Sequence, residues 1–203
     1  MDQVRGDYAP LIEFSHATGV RQKEAWSLEW TQVNWSTKTI TMIGKGGKLV
    51  TKTIDSAVHA ILWPLVGHHP VKVFTYVAAK TRDGRVAGKR YPITKSGVKT
   101  TWRRTRAKAG LDAAKLPLRF HDLRHDFATK LLRQTGDIRL VQKAMKHADI
   151  ETTMRYAHVL DEDVSKAVAT LAKSRVRKVV GKSSHNSTHS AKPTAKKPLQ
   201  RKR

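Results

Sequence analysis

No cysteine occurs among the 203 residues, which excludes a disulfide framework, a thiolate metal site and a cysteine nucleophile, and fits a reducing compartment. Acidic residues are scarce: 16 Asp plus Glu stand against 40 Lys plus Arg, and none follows Asp163. No stretch approaches the roughly 18 apolar residues of a membrane-spanning helix. The N-terminus, Met1-Asp2-Gln3-Val4-Arg5-Gly6-Asp7, carries charges where a signal peptide needs an apolar run. A cytoplasmic protein with no membrane partner is expected. An apolar fraction of 39% is enough to build a core, so the chain as a whole is not a disordered one.

The formal charge of +24 asks for a polyanion, and half of it lies in the last 40 residues. Residues 1–163 still carry +12, so the body is basic as well as the tail. That distribution favours nucleic acid, because cations that neutralise phosphates release counterions and give salt-sensitive binding. From Gly181 onward Leu199 is the only large apolar residue, so no face exists to bury and 181–203 is expected to be disordered.

Hydrophobic periodicity predicts helices at 8–18, 22–30, 55–66, 96–109, 121–135, 138–146, 150–159 and 162–176, with Gly110 and Gly136 as stops. Val33, Trp35, Ile40, Met42, Leu49, Val50 and Ile54 fall in β-rich stretches broken at Ser36-Thr37-Lys38 and Gly44-Lys45-Gly46-Gly47. These predict a small three-stranded antiparallel sheet, and so an α+β fold rather than an alternating one. Residues 67–95 give no clear pattern, and His68-His69 within them reads as a loop pair.

Two clusters carry chemistry. In Phe120-His121-Asp122-Leu123-Arg124-His125, the helix puts Leu123, Phe127 and Leu131 on a core face and Arg124 at its rim, with His121 one turn away. A partly buried guanidinium needs a partner, either an internal carboxylate or a phosphate held bidentately. His121 and His125 share the spacing of a helical metal pair, but no Glu follows the first His and an arginine lies beside it, so zinc is not expected. In the second cluster, Asp149 is placed to cap a helix that presents Tyr156. A lone tyrosine there is either packing or a nucleophile, and a phenol of pKa near ~10 needs a base and nearby cations to attack.

Taken in order, Thr18-Gly19-Val20-Arg21, Gly44-Lys45-Gly46-Gly47-Lys48, His121-Asp122-Leu123-Arg124-His125, His147 and Thr153-Met154-Arg155-Tyr156-Ala157-His158 resemble the catalytic domain of the tyrosine recombinases, also called phage integrases. The resemblance covers about 15–160. It implies a mostly helical catalytic domain over 1–176 with the small sheet, followed by a disordered basic tail at 177–203. It further implies that Tyr156 attacks a phosphodiester of double-stranded DNA to give a 3′-phosphotyrosine, with neither metal nor cofactor. Arg21 and Arg124 would grip the non-bridging oxygens, and Lys45 would protonate the leaving 5′-oxygen. His121 would act as base for the tyrosine, and His147 would hydrogen-bond the phosphate.

Such enzymes work as a homo-tetramer on two DNA sites. Val164, Ala167, Val168 and Leu171 form a stripe on 162–176 suited to packing on the same domain or on a neighbouring protomer. Two departures stand out. The family usually has glycine immediately before the second-cluster histidine, where this chain has Lys146. It also usually has a helical DNA-clamping domain upstream, for which the 20 residues before Arg21 leave no room. The same residues also suit a DNA-binding relic without catalysis, or topoisomerase IB-like relaxation.

Overall fold

The first helix, α1 (Ala9–Thr18), has Pro10 in its opening turn, where a missing N–H costs nothing. It stops at Gly19, whose φ of 63° lets its N–H bond the Ser15 carbonyl. The Ser15 and Thr18 hydroxyls are buried but return to the Leu11 and Phe14 carbonyls at 2.7 and 2.6 Å. The computed structural model describes residues 6–111, 118–147, 149–161, 163–166 and 168–171. The expected tail at 177–203, the end of the 162–176 helix and Ala167 lie outside the described residues. Two units divide the chain, Met1–Leu160 and Asp161–Arg203. In the second, 163–166 and 168–171 are helical.

In the first unit α2 (Gln22–Trp26) follows α1, then strands β1 (Val33–Asn34), β2 (Thr39–Ile43) and β3 (Leu49–Thr53) form the expected antiparallel sheet in the order β1-β2-β3. The remaining helices are α3 (Ser56–Leu62), α4 (Lys95–Lys108), α5 (Asp122–Thr135), α6 (Ile138–Met145) and α7 (Glu151–Met154). A hairpin unforeseen in the sequence, β4 (Thr75–Val77) with β5 (Arg90–Pro92), lies inside the stretch without a pattern. Three residues per strand are too few for a period to register.

Several helices are shorter than their patterns. The expected 22–30 helix ends at Trp26: Ser27 turns its hydroxyl back to the Lys23 carbonyl, and Glu29 adopts extended backbone to bridge Lys72. The expected 55–66 helix is α3, capped by the Asp55 carboxylate and giving way to a tight turn at Trp63-Pro64-Leu65. The 150–159 helix breaks at 155–156 and resumes at 157–161, because the Tyr156 N–H reaches the Thr153 carbonyl three residues back. Ile150, not Asp149, takes the cap position, and the Asp149 carboxylate one residue earlier accepts from the Glu151 N–H at 3.0 Å. His69 is structural, its Nδ1 accepting from the Val71 and Lys72 amides.

Two apolar clusters hold this unit. The larger joins α1, the sheet and α3 through Leu11, Phe14, Ile40, Met42, Leu62 and Phe74, all at most 1% exposed. The smaller joins α5 and α6 to the segment after α7 through Ala128, Leu132, Val141, Met145, Tyr156 and Val159. Helix α5 runs from one to the other, with Leu123, beside Phe120 of the preceding turn, at the first and Phe127 and Leu131 at the second.

Candidate active site

Arg21 occupies the extended position before α2, and its own helix holds it. Glu24 accepts the Arg21 backbone N–H at 2.7 Å and its Nη1 at 3.2 Å, while the carboxylate itself is 3% exposed. A buried carboxylate needs such a partner. Gly44, closing β2, packs close by: a Cβ there would stand 2.9 Å from Val50 and 3.3 Å from the Glu24 carboxylate. The following turn, Lys45-Gly46-Gly47, uses φ of 73° and 75° at its glycines, which side-chain-bearing residues rarely adopt. The Lys45 side chain lies outside the described residues.

Arg124 is not at the rim of the α5 core face, as its pattern predicts, but in the middle of it. The buried stripe of the helix is Arg124, Ala128 and Leu132, and Leu123, Phe127 and Leu131 flank it. Burial is possible because the guanidinium finds acceptors: Nη1 donates to the Gly19 carbonyl at 2.5 Å and Nη2 to the Met145 carbonyl at 2.6 Å. Among the described residues no carboxylate hydrogen-bonds the guanidinium. Five N–H donors are available to an arginine, so three remain for an anion. Burial, then the charge of Arg21, lowers its pKa to about 10, and it stays cationic.

Lys52 joins this group unannounced by any motif. It takes the inward register of β3 between Val50 and Ile54, where a strand normally places an apolar residue. Its Nζ donates to the Ala144 carbonyl at 2.7 Å and lies 5.4 Å from the centre of the Phe127 ring. Desolvation, reinforced by Arg124, lowers its pKa to about 8. Two cations from different elements thus hold consecutive carbonyls at the end of α6.

That end turns through Lys146 in left-handed backbone, φ 51° and ψ 45°, the conformation that glycine adopts without strain. His147 emerges from the turn with Nδ1 2.8 Å from the buried Thr153 hydroxyl. Its pKa is pushed down to about 4 by desolvation and then by Arg124, Arg21, Arg155 and His125. Arg21, Gly44, Gly46, Lys48, Lys146 and His147 line a cavity of about 520 Å³.

Tyr156 is 5% exposed and belongs to the smaller cluster. Its hydroxyl is 2.7 Å from Nδ1 of His125, not of His121. The phenol pKa is raised by burial, against the pull of Arg124 and Arg155. His121 begins α5 on the surface, and its ring stands edge-on to His125 with centroids 4.9 Å apart. Of the expected residues, then, Arg21, Arg124 and His147 share one electrostatic field, Tyr156 pairs with His125, and His121 reaches this pair only through His125. His125, Lys52 and Glu24 complete the group. A carboxylate three residues after Arg21 and a lysine at an inward strand position were the signals for the last two.

The arrangement offers cations for an anion and a buried phenol beside an imidazole. Over residues 5–163 the chain matches the model of the phage integrase family. It belongs to that family. Among curated phage integrase relatives, the integrase of Salmonella phage P22 is 24% identical over 94% of this chain and 48% of its own length. Tyrosine recombinase XerD of Pseudomonas putida is 30% identical over 73% of this chain and 48% of its own. The chain spans about half the length of the curated relatives it matches.

Among solved structures, XerH site-specific recombinase bound to palindromic difH substrate in a post-cleavage complex aligns over 81% of this chain and 47% of that one, with a TM-score of 0.58 and 24% identity. The catalytic domain of bacteriophage HP1 integrase aligns over 83% and 84%, with a TM-score of 0.54 and 24% identity. These likenesses establish that the fold is the integrase catalytic fold. Among the described residues no helix is long and apolar enough to cross a membrane.

Proposed function

We propose that this chain is the catalytic domain of a tyrosine-type site-specific DNA recombinase and cleaves double-stranded DNA through Tyr156. The observation that carries the proposal is a buried phenol hydrogen-bonded to an imidazole within the field of Arg124 and Arg155. Arg21 and Arg124 offer fixed donors where the scissile phosphate gains charge in the transition state, a task that metal ions perform in other phosphoryl transfers. His147, kept neutral by burial and then by the same cations, is a hydrogen-bonding partner for that phosphate. Lys45 is assigned the proton for the leaving 5′-oxygen, from its place in the glycine-rich turn, and His121 a second proton-handling position. DNA as partner is supported by the basic body and by the DNA complex of XerH. Assembly as a tetramer on two sites, with an upstream clamping domain, and the basic tail as a source of further phosphate contacts belong to the same proposal.

The test is incubation with nicked suicide DNA bearing the flanking sequence of its gene. An SDS-resistant protein–DNA adduct that disappears in Tyr156→Phe is expected. Salt-sensitive binding by both proteins with no adduct, also after fusion to an upstream clamping domain, would leave a DNA-binding protein and refute the cleavage proposal. Relaxation of supercoiled plasmid without site exchange would point to topoisomerase-like use of the same tyrosine.

A further inference from the structure

Three features of the α5 and α7 region converge on one side chain. His125 Nδ1 is 2.7 Å from the Tyr156 hydroxyl, within direct proton-transfer range. The phenol is almost fully shielded from solvent, so bulk water is a poor acceptor for its proton. His121, the other histidine of the pair, makes its ring contact with His125 and none with Tyr156 among the described contacts.

On the reading of the site as a DNA-cleaving one, we infer that His125 is a catalytic residue that takes the phenolic proton of Tyr156 as its oxygen attacks phosphorus. The Tyr156 O–H donates to Nδ1, which fixes the ring as the tautomer with hydrogen on Nε2. A Tyr156 Oη–P bond forms and the P–O5′ bond breaks, the electron pair leaving on the 5′-oxygen. The phenolic proton passes to Nδ1 and yields an imidazolium, while the 5′-oxygen receives its proton from Lys45. In the rejoining step the flow reverses, and the imidazolium returns its proton to the departing phenol.

The surroundings suit a base that must be empty before the attack. Facing His125 are Arg155 from the α7 end, His147 from the turn after α6, Arg119 from the segment before α5, His121 at the α5 cap, and Arg124 and Asp122 on its own helix. Burial lowers the imidazole pKa, and three guanidinium groups against one carboxylate act in the same direction, so the ring is neutral at pH 7. The same cations make the imidazolium a willing acid in the return step.

The test measures adduct formation on two nicked suicide DNAs, one normal and one with sulfur in place of the bridging 5′-oxygen. A thiolate leaves without an acid, because a thiol ionises near ~8.5, far below an alcohol. His125→Asn keeps an amide oxygen near the Nδ1 position, and so the structural hydrogen bond, but cannot take a proton. It is expected to slow adduct formation by roughly 100-fold or more on both substrates and to abolish the acid-side fall of the wild-type rate. His121→Asn is expected to lose less on the normal DNA. Adduct formation by His125→Asn within about 3-fold of wild type, or a loss that sulfur restores, would overturn the inference while leaving DNA cleavage intact. No adduct from the wild type would remove the cleavage reading and the inference with it. As a measurement that needs no His125 variant, nitrogen NMR of the imidazoles should show one histidine changing between wild type and Tyr156→Phe. If none changes, the contact does not exist in solution and the inference fails.

Discussion

Nη2 of Arg124 and the Met145 carbonyl oxygen stand 2.6 Å apart, joining the middle of α5 to the end of α6, while Nη1 of the same guanidinium holds the end of α1 at Gly19. A single cation therefore fixes three chain segments. Arg124→Lys can satisfy only one of the two carbonyls and leaves the other buried. The expected loss is about 1–3 kcal/mol of stability, read as a lower melting temperature in calorimetry. An unchanged melting temperature would show that the carbonyls find water instead.

Gly19 carries two constraints at once. Its φ is 63°, and a Cβ would come within 2.4 Å of the Phe127 ring. Gly19→Ala is expected to cost more than the ~1 kcal/mol of the left-handed backbone alone. Adding Phe127→Leu should recover only the steric part, so chemical denaturation of the two single variants and the double variant should give non-additive free energies.

Lys146 pays for a left-handed backbone that glycine adopts without strain. Lys146→Gly is expected to stabilise the chain by roughly 1 kcal/mol, the helix-ending turn being retained. Denaturation midpoints would read this directly, and a destabilised variant would mean that the Lys146 side chain makes up the backbone cost.

His147 makes stability depend on pH. Its folded pKa of about 4 lies below the ordinary 6.5, so the unfolded chain takes up a proton first as the solution is acidified. Stability is thus complete above pH 6.5 and declines between pH 6.5 and 4, with His121 and His125 shifted in the same direction. For His147, which is partly solvated, the loss is about 1–2 kcal/mol after screening. His147→Gln should flatten the fall of melting temperature across that interval.

Lys52 does the same on the alkaline side. Its folded pKa of about 8 against 10.5 means that the folded chain releases a proton which the unfolded chain keeps. Between pH 8 and 10.5 the wild type should gain on Lys52→Met by an order of 1 kcal/mol. Melting curves of both proteins at several pH values would show the difference narrowing or reversing, whereas parallel curves would place the ammonium in water.

Much of the fold could be read in advance where the signal was local. Gly136 ends a helix and the Asp149 carboxylate bonds the first turn of another, each within a few residues, and the sheet followed from alternation around two turn-forming stretches. What escaped depends on distant partners. Glu29 leaves its helix for Lys72, 43 residues away, and Arg124 is drawn into the core by carbonyls 105 and 21 residues off. The family pattern named Arg21, Arg124, His147 and Tyr156 as candidates. It could not tell which of two histidines, one helical turn apart, would face a tyrosine 31 residues on, since that is decided by how α7 returns to α5.

The division of apolar packing into two clusters carries a consequence for how sequences of this kind can drift. The arginine held by Glu24 and the glycine turn rest on the first cluster, whereas Tyr156 is itself a member of the second. Side chains in the two clusters that share no partner and stand well apart contribute independently, so their substitutions add. Changes beneath Arg21 and the glycine turn can therefore accumulate without disturbing Tyr156. Helix α5 is the exception: contacting both clusters, it is where changes on one side need compensation on the other.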